Sequence, residues 1–67
     1  MALRIDEWRR AKKITQEQLA ERCDVHAMTI RAWEKHPEKI QIKYVDVICQ
    51  ALGVERQDVI FLPYESN

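Results

Sequence analysis

The fold of this chain is decided by residues 16–34, QEQLAERCDVHAMTIRAWE. Two runs with helical periodicity flank Asp24, which lies where the chain must turn sharply. Read as helix, turn and helix, the stretch directs its apolar side chains inward, and Ala20 is small enough to let two helices cross closely. The inward residues are Leu19, Cys23, Val25, Ile30 and Trp33. The exposed face of the second helix carries His26, Ala27, Met28, Arg31, Ala32 and Lys35. This pattern is typical of a helix-turn-helix.

The second helix of such a motif commonly lies in the major groove of DNA, so its exposed side chains are candidate base contacts. Reading a base needs a hydrogen-bond donor or acceptor, or a methyl contact with thymine. Arg31 suits guanine or a phosphate, Thr29 suits either kind of contact, and the apolar Met28 can pack only on thymine. Lysines suit phosphates, which set orientation rather than sequence. The candidate contacts to bases or phosphates are Gln16, His26, Ala27, Met28, Thr29, Arg31, Ala32, Lys35, Lys39 and Lys43.

The composition favours helices throughout the chain. Its 67 residues include one glycine and two prolines, which leaves little room for hairpin turns. Strong helix formers such as Glu, Gln, Lys, Arg, Ala and Leu are abundant. We therefore expect an all-α fold, a compact five-helix bundle containing the helix-turn-helix. It is expected to form a single domain over 1–67, with its core in 3–62, the helix-turn-helix in 16–35 and a frayed tail in 63–67.

Local signals mark the first helix of the motif and the turn that follows it. Thr15 and Gln18 have the spacing of a capping box, in which each side chain bonds the other residue's backbone. Ile14 and Leu19 are placed as the hydrophobic staple that accompanies such a cap. Asp24 stands where glycine is usual, and Asp tolerates the left-handed conformation at modest cost. We expect this helix to run from Gln16 to Arg22 or Cys23.

Periodicity and proline place the remaining helices. Ile5, Trp8 and Ala11 share the apolar face of a first helix over residues 3–12. The helix after the turn begins at His26 or Ala27, and Pro37 ends it near Lys35. A fourth helix over 42–52 carries an apolar stripe of Ile42, Val45, Ile48, Cys49 and Leu52, with Gly53 as its left-handed cap and Ile40 anchoring the loop before it. A fifth over 56–61 turns Val59 and Ile60 inward and stops at Pro63.

Charge is balanced overall and modestly uneven along the chain. The sequence has 11 basic and 11 acidic residues, so its formal net charge is zero. Residues 26–43 contain four basic and two acidic groups, whereas residues 44–67 contain one basic and four acidic groups. The basic surplus therefore lies in the half that contains the proposed DNA-contacting helix, and only a few phosphates are expected to be neutralised by each monomer.

Several other classes of protein are disfavoured. Cys23 and Cys49 lie on apolar stripes, as expected of buried thiols in a reducing cytoplasm rather than of a disulfide scaffold. A zinc site built from these cysteines with His26 and His36 lacks the paired local spacing of known sites. No apolar run approaches the length of a membrane span, and no signal peptide opens the chain. No catalytic motif is present, so we expect neither an enzyme nor a bound cofactor or metal.

The motifs TQEQLAERCDV (15–25), TIRAWE (29–34) and ALGV (51–54) resemble the Cro and phage-repressor family of small DNA-binding domains. The resemblance covers roughly residues 3–62. It implies a lambda-repressor-like fold, binding to an operator in double-stranded DNA as a two-fold homodimer, and regulation of transcription. It also implies that Gln16 contacts a phosphate or braces the recognition helix, as the second helix of the motif is called, and that Arg9 pairs with Glu34.

Two functional hypotheses follow. The first is a sequence-specific transcriptional regulator of phage or prophage origin, dimerising through an apolar patch of Ile60, Phe61, Leu62 and Tyr64. The second is an antirepressor or modulator that binds a repressor protein, which is favoured by the neutral net charge, the apolar tip at Ala27 and Met28 and the acidic C-terminal third. The alternatives to DNA contact are a protein contact for Met28, packing between helices for Thr29, and solvent or an acidic neighbour for Arg31. Met1 and the short tail favour a complete small protein over a fragment of a larger regulator.

Overall fold

Four α-helices account for most of the backbone in residues 1–63, the part of the chain that the computed structural model describes. The elements are α1 (Ile5–Ala11), α2 (Gln16–Cys23), α3 (Ala27–Lys35), a 3-10 helix (Pro37–Lys39), α4 (Ile42–Leu52) and a second 3-10 helix (Arg56–Asp58). The predicted bounds of α2, α3 and α4 are confirmed. The first helix is shorter than the predicted 3–12, because the backbone of Leu3 is paired with the C-terminal segment instead.

The start of α2 is fixed by the predicted capping box. The Thr15 hydroxyl accepts a hydrogen bond from the Gln18 backbone N–H at 3.0 Å, and the Gln18 side chain accepts one from the Thr15 N–H at 2.9 Å. Ile14 and Leu19 are both buried beside it, as the hydrophobic staple requires. α2 therefore begins at one defined residue, which fixes where Gln16 stands relative to α3.

The turn between α2 and α3 has the left-handed geometry predicted for it. Asp24 has φ 57° and ψ 46°, and the Val25 N–H donates to the Ala20 carbonyl at 3.0 Å. Gly53 ends α4 in the same way, with φ 73°. A single left-handed residue at each helix end lets the chain reverse within two or three residues, so α3 packs closely against α2.

The core lies where α2, α3 and α4 meet. Leu19, Ile30 and Ile48 are completely buried, one from each helix, and Ala20 is 4% exposed at the crossing. Trp33 is buried, whereas Val25 and Trp8 are half-buried against the cluster. The other buried apolar residues are Ile5, Ile14, Cys23, Cys49, Leu52 and Val59. Both cysteines are free thiols.

The predicted fifth helix over 56–61 is wrong, and so is the five-helix count. After the 3-10 helix, Val59 is extended and forms an isolated parallel bridge with Leu3. The Asp58 carbonyl accepts from the Leu3 N–H at 3.0 Å and from the Trp8 indole N–H at 2.6 Å, and the Ile60 N–H donates to the Leu3 carbonyl at 2.9 Å. A helix over 56–61 would need the Asp58 carbonyl and the Ile60 N–H for its own backbone hydrogen bonds. Val59 is buried as predicted, but Ile60 is only half-buried.

Two smaller expectations also need correction. Ala11 is exposed, because α1 ends there and Ile14 takes the inward position after the turn. Ile42 is 82% exposed. It is the first residue of α4, and because Cα–Cβ bonds tilt toward a helix N-terminus its side chain projects beyond the end of the core. The predicted frayed tail, 63–67, lies outside the described residues from Tyr64 onward.

Candidate nucleic-acid interface

One chain of hydrogen bonds connects α1, α2 and α3 beneath the outer face of α3. The Arg9 Nε donates to Glu34 Oε2 at 2.7 Å, and their side chains are only 12% and 10% exposed. Gln16 Nε2 donates to Glu34 Oε1 at 2.9 Å, and Arg31 Nε donates to Gln16 Oε1 at 3.2 Å. The Arg9 Nη1 also donates to the Ile14 carbonyl at 3.0 Å. We call Arg9, Glu34, Gln16 and Arg31 the bracing network.

The bracing network confirms the predicted ion pair and shows what the Gln16 side chain does. Of the two roles that the resemblance implied, the amide group performs the second, because both its oxygen and its nitrogen bond side chains of α3. The bond from Gln16 to Glu34 is partly buried, whereas the bond from Arg31 to Gln16 is exposed to solvent. The network therefore holds the guanidinium of Arg31 and fixes the angle of α3 against α2.

Four exposed residues form a continuous stripe along α3. Met28, Arg31, Ala32 and Lys35 stand at positions i, i+3, i+4 and i+7, which share one helix face. We call this set the outer stripe. Met28 is 75% exposed. Arg31 uses only its Nε in the bracing network, so its two terminal nitrogens have no protein partner in the described part of the chain. The stripe thus offers two cations and two apolar groups.

The other candidate residues on α3 are less accessible than the sequence suggested. Ala27 was placed on the exposed face, but it is half-buried and packs against the core. It stands at the first position of α3, where the helix leaves the turn at Val25. Thr29 is also half-buried. His26 is exposed and precedes the helix without a side-chain capping bond, which agrees with its being a weak cap.

A cleft of about 380 Å³ lies between the start of α3 and the start of α4. The Trp33 and Tyr44 rings meet in it with their centroids 5.1 Å apart and their planes tilted by 49°. Its lining residues are Asp24, Val25, His26, Thr29, Trp33, Lys39, Gln41 and Tyr44. Lys39 and Lys43 are exposed, and the Lys43 Nζ lies 5.2 Å from the Tyr44 ring centroid. Two predicted phosphate contacts therefore stand close to the cleft, one on its lining and one beside Tyr44.

Gln41 and Ile42 belong to this surface although sequence analysis did not assign them to it. Gln41 is exposed on the cleft, and the 82% exposed Ile42 follows it. The signal was available for Gln41, because a polar residue just before a predicted helix often stands at its cap. For Ile42, the apolar spacing of the helix over 42–52 predicted a side chain directed toward the core. The combined surface is basic at its lysines and apolar at Met28 and Ile42.

Several charged groups away from this surface have a partner. Arg56 and Asp46 form an exposed ion pair at 2.9 Å, and hydrogen bonding to Asp46 raises the pKa of the Arg56 guanidinium. Arg22 donates to the Ala51 carbonyl at 3.0 Å near the end of α4. On the other side, the imidazole of His36 lies 3.5 Å from Glu38. Lys35 of the outer stripe and Lys39 and Lys43 at the cleft have no ion pair among the described residues, so these cations are available to an anion.

The described residues contain no cluster of three or more potential metal-ligating side chains, and no helix among them is long and apolar enough to cross a bilayer. A protein-family model described as helix-turn-helix, of the Cro and C1 type, matches residues 5–59. The matched range runs from the first residue of α1 to the bridge at Val59. No curated protein and no solved structure matches the chain significantly.

Proposed function

Because the chain belongs to the helix-turn-helix family of Cro and C1 type, we propose that it is a sequence-specific DNA-binding regulator of transcription. In this proposal α3 enters the major groove of an operator and presents the outer stripe to base edges. The observation that carries it is the bracing network. A surface arginine with no function would be free to move, whereas Arg31 is held by hydrogen bonds that continue into the core.

The bracing network supports base reading because a readout side chain must be positioned before the DNA arrives. Ordering a long side chain on binding costs free energy of about 0.5–1.5 kcal/mol. The Arg31 Nε is already bonded, and the two remaining nitrogens form the fork that matches the O6 and N7 atoms of guanine. Arg31 is therefore assigned the base contact, and Gln16 is assigned the positioning of Arg31.

Phosphate contacts are assigned to residues on both sides of the outer stripe. Lys35 continues the stripe, and Lys39, Lys43 and His26 are exposed next to it. The backbone N–H groups at the start of α2, beside Gln16, suit a phosphate of the opposite strand. These contacts set the register of the protein on the duplex and do not select the sequence. Ala27 and Thr29 are assigned to the margin of the interface because both are half-buried.

We extend the proposal to a homodimer on a two-fold symmetric operator. Phe61 is half-buried and Leu62 is 71% exposed in the extended C-terminal segment, which offers a small apolar patch for a second copy. Tyr64, the last member of the predicted patch, lies outside the described residues. A dimer doubles the base contacts of a small domain, which suits a protein with no net charge. The phage or prophage origin rests on the family resemblance.

Selection from a random pool of double-stranded DNA tests this function. We expect a motif with two-fold symmetry, bound at micromolar protein or below and weakened by added salt. Analytical ultracentrifugation of Leu62→Asp on the selected duplex tests the dimer separately, and we expect it to shift the complex toward one protomer per site. A pool that yields no motif, together with no salt-sensitive binding, would rule out a DNA-binding role.

A second candidate function is favoured by one specific observation. Met28 on the outer stripe is 75% exposed, and Ile42, which follows the cleft residue Gln41, is 82% exposed. Exposed apolar side chains of this kind are typical of protein contacts. The protein would then bind a repressor as an antirepressor or modulator. Met28→Glu combined with Arg31→Glu discriminates between the two functions in parallel assays of DNA binding and repressor capture. Loss of repressor capture alone favours the modulator, and loss of DNA binding favours the regulator.

A further inference from the structure

The outer stripe contains no strong hydrogen-bond acceptor. Arg31 and Lys35 can only donate, Ala32 has no polar atom, and the thioether of Met28 is a weak acceptor at best. The acceptors closest to it in the bracing network are occupied, because Gln16 Oε1 receives the Arg31 Nε and Glu34 receives both Arg9 and Gln16. Whatever base edge faces this stripe must therefore present acceptors or apolar groups.

The four bases differ in this respect in the major groove. Cytosine presents only an amino group there and adenine presents an amino group beside one acceptor, and an amino group needs an acceptor on the protein. Guanine presents two acceptors, and thymine presents an acceptor and a methyl group. Arg31 and Met28 are adjacent on the helix surface, since they stand three residues apart. A guanine opposite the Arg31 fork thus places the neighbouring base within reach of the exposed Met28 side chain.

Resting on the DNA-binding function proposed above, we propose that the outer stripe reads a thymine next to a guanine, with Arg31 on the guanine and Met28 and Ala32 on the thymine methyl group. A 5-methylcytosine carries the same methyl group at the same ring position. The stripe therefore distinguishes a methylated pyrimidine from an unmethylated one. It selects a chemical group on the base rather than a hydrogen-bond pattern at this position.

Uracil provides the direct test, because it keeps the hydrogen-bonding groups of thymine and lacks only the methyl. The probe is the duplex selected from the random pool, with each thymine replaced singly by uracil and binding measured by fluorescence anisotropy. We expect one or two thymines per half-site, each next to a guanine, at which uracil weakens binding about fourfold, the effect of burying one methyl-sized group. At the same position, 5-methylcytosine should bind about fourfold more tightly than cytosine.

Two variants assign the effect to Met28. In Met28→Ala the difference between thymine and uracil should fall to less than twofold, because alanine is too short to reach the methyl. In Met28→Gln a second selection should shift the preference at this position toward adenine, whose amino group and N7 suit an amide. Gln50→Ala shortens an exposed side chain of α4, outside α3, the cleft and the C-terminal patch, and should keep the fourfold difference.

The outcomes separate this inference from the function on which it rests. If uracil can replace each thymine of the selected motif with less than a 1.5-fold change in affinity, the stripe does not read the methyl group. The DNA-binding function is unaffected by that result. If Met28→Ala keeps the fourfold difference in affinity between thymine and uracil, the methyl group is not read by the outer stripe. Failure to bind any DNA in the pool overturns the proposed function itself.

Discussion

A single carboxylate connects three helices of this protein. Glu34 receives the Arg9 Nε on one oxygen and the Gln16 amide on the other, and Gln16 in turn receives Arg31. Arg9 and Glu34 are nearly buried, so their charges are exposed to little solvent screening and each needs the other. At the scale of the residue, the position of the outer stripe depends on the hydrogen bonds that the Glu34 carboxylate accepts from Arg9 and Gln16.

Glu34→Gln is therefore expected to be strongly destabilising. The substitution keeps the shape but removes the charge opposite Arg9, and we expect the free energy of unfolding in urea to fall by about 2–3 kcal/mol. Asp46→Asn is the matched control, because it breaks the exposed pair with Arg56 and should leave the urea midpoint unchanged within error. Equal effects of the two substitutions would show that burial of the Arg9 pair is unimportant.

The two thiols predict how stability changes at high pH. Burial raises the pKa of both Cys23 and Cys49 above that of an ordinary thiol. In the unfolded chain the thiols ionise first, so the folded state binds more protons as the pH passes the ordinary thiol value. The free energy of unfolding should consequently decrease between about pH 8 and pH 10, and the decrease should be smaller in the double variant Cys23→Ala and Cys49→Ala. If the free energy of unfolding decreases with pH equally in the double variant and in the original protein, the thiols do not cause the decrease.

The helix-turn-helix itself could be predicted from local sequence at the scale of the element. Thr15, Gln18 and Asp24 act within a few residues of their own position, so their spacing was sufficient to place the ends of α2. The absence of a fifth helix could not be predicted in this way. It depends on hydrogen bonds from Leu3 and Trp8 to the Asp58 carbonyl, across fifty or more residues of sequence, which no local pattern encodes.

The candidate site was predictable to a similar extent. Helical spacing was enough to expose Met28, Arg31, Ala32 and Lys35, and to bury Trp33. It could not show that Ala27 packs against the core, because that depends on how closely the turn approaches α3. The exposure of Ile42 was missed for a different reason, because the side chain of the first residue of a helix points beyond the end of the core, which apolar spacing alone does not show.

The left-handed turn at Asp24 provides the test at this scale. Asp24→Gly removes the steric cost of φ 57° and should stabilise the protein by up to about 1 kcal/mol, whereas Asp24→Val should destabilise it by about 1–2 kcal/mol. Thermal unfolding followed by circular dichroism measures both. A stabilising valine at this position would mean that the chain does not turn here through a left-handed residue.

At the scale of the whole molecule, the neutral charge and the basic outer surface act together. A formal net charge of zero provides little long-range attraction to DNA, so affinity must come from a few close contacts. Lys35, Lys39 and Lys43 are the exposed lysines next to the outer stripe and the cleft. This arrangement favours selectivity over strong non-specific binding, because non-specific affinity depends almost entirely on phosphate contacts.

The salt dependence of binding should reflect these few contacts. Three phosphates per protomer, or six in the proposed dimer, correspond to a slope of about −5 in a plot of log K against log salt concentration. Lys39→Gln removes one contact from each protomer, so it should make the slope shallower by about 2 and weaken binding to every sequence alike. Lys12→Gln, on the surface of α1 near Trp8, is the matched charge control and should leave the slope unchanged. If Lys39→Gln leaves the slope unchanged, Lys39 does not contact a phosphate.

The central claim is that α3 reads base edges through a braced Arg31, and one measurement tests it directly. The ratio of affinities for the selected duplex and for a scrambled duplex is measured for Arg31→Gln and for Arg56→Gln, which removes the same charge from a site outside α3 and the cleft. We expect Arg31→Gln to lower this ratio about 10- to 100-fold and Arg56→Gln to change it less than twofold. Equal changes in the two variants would contradict base reading by α3.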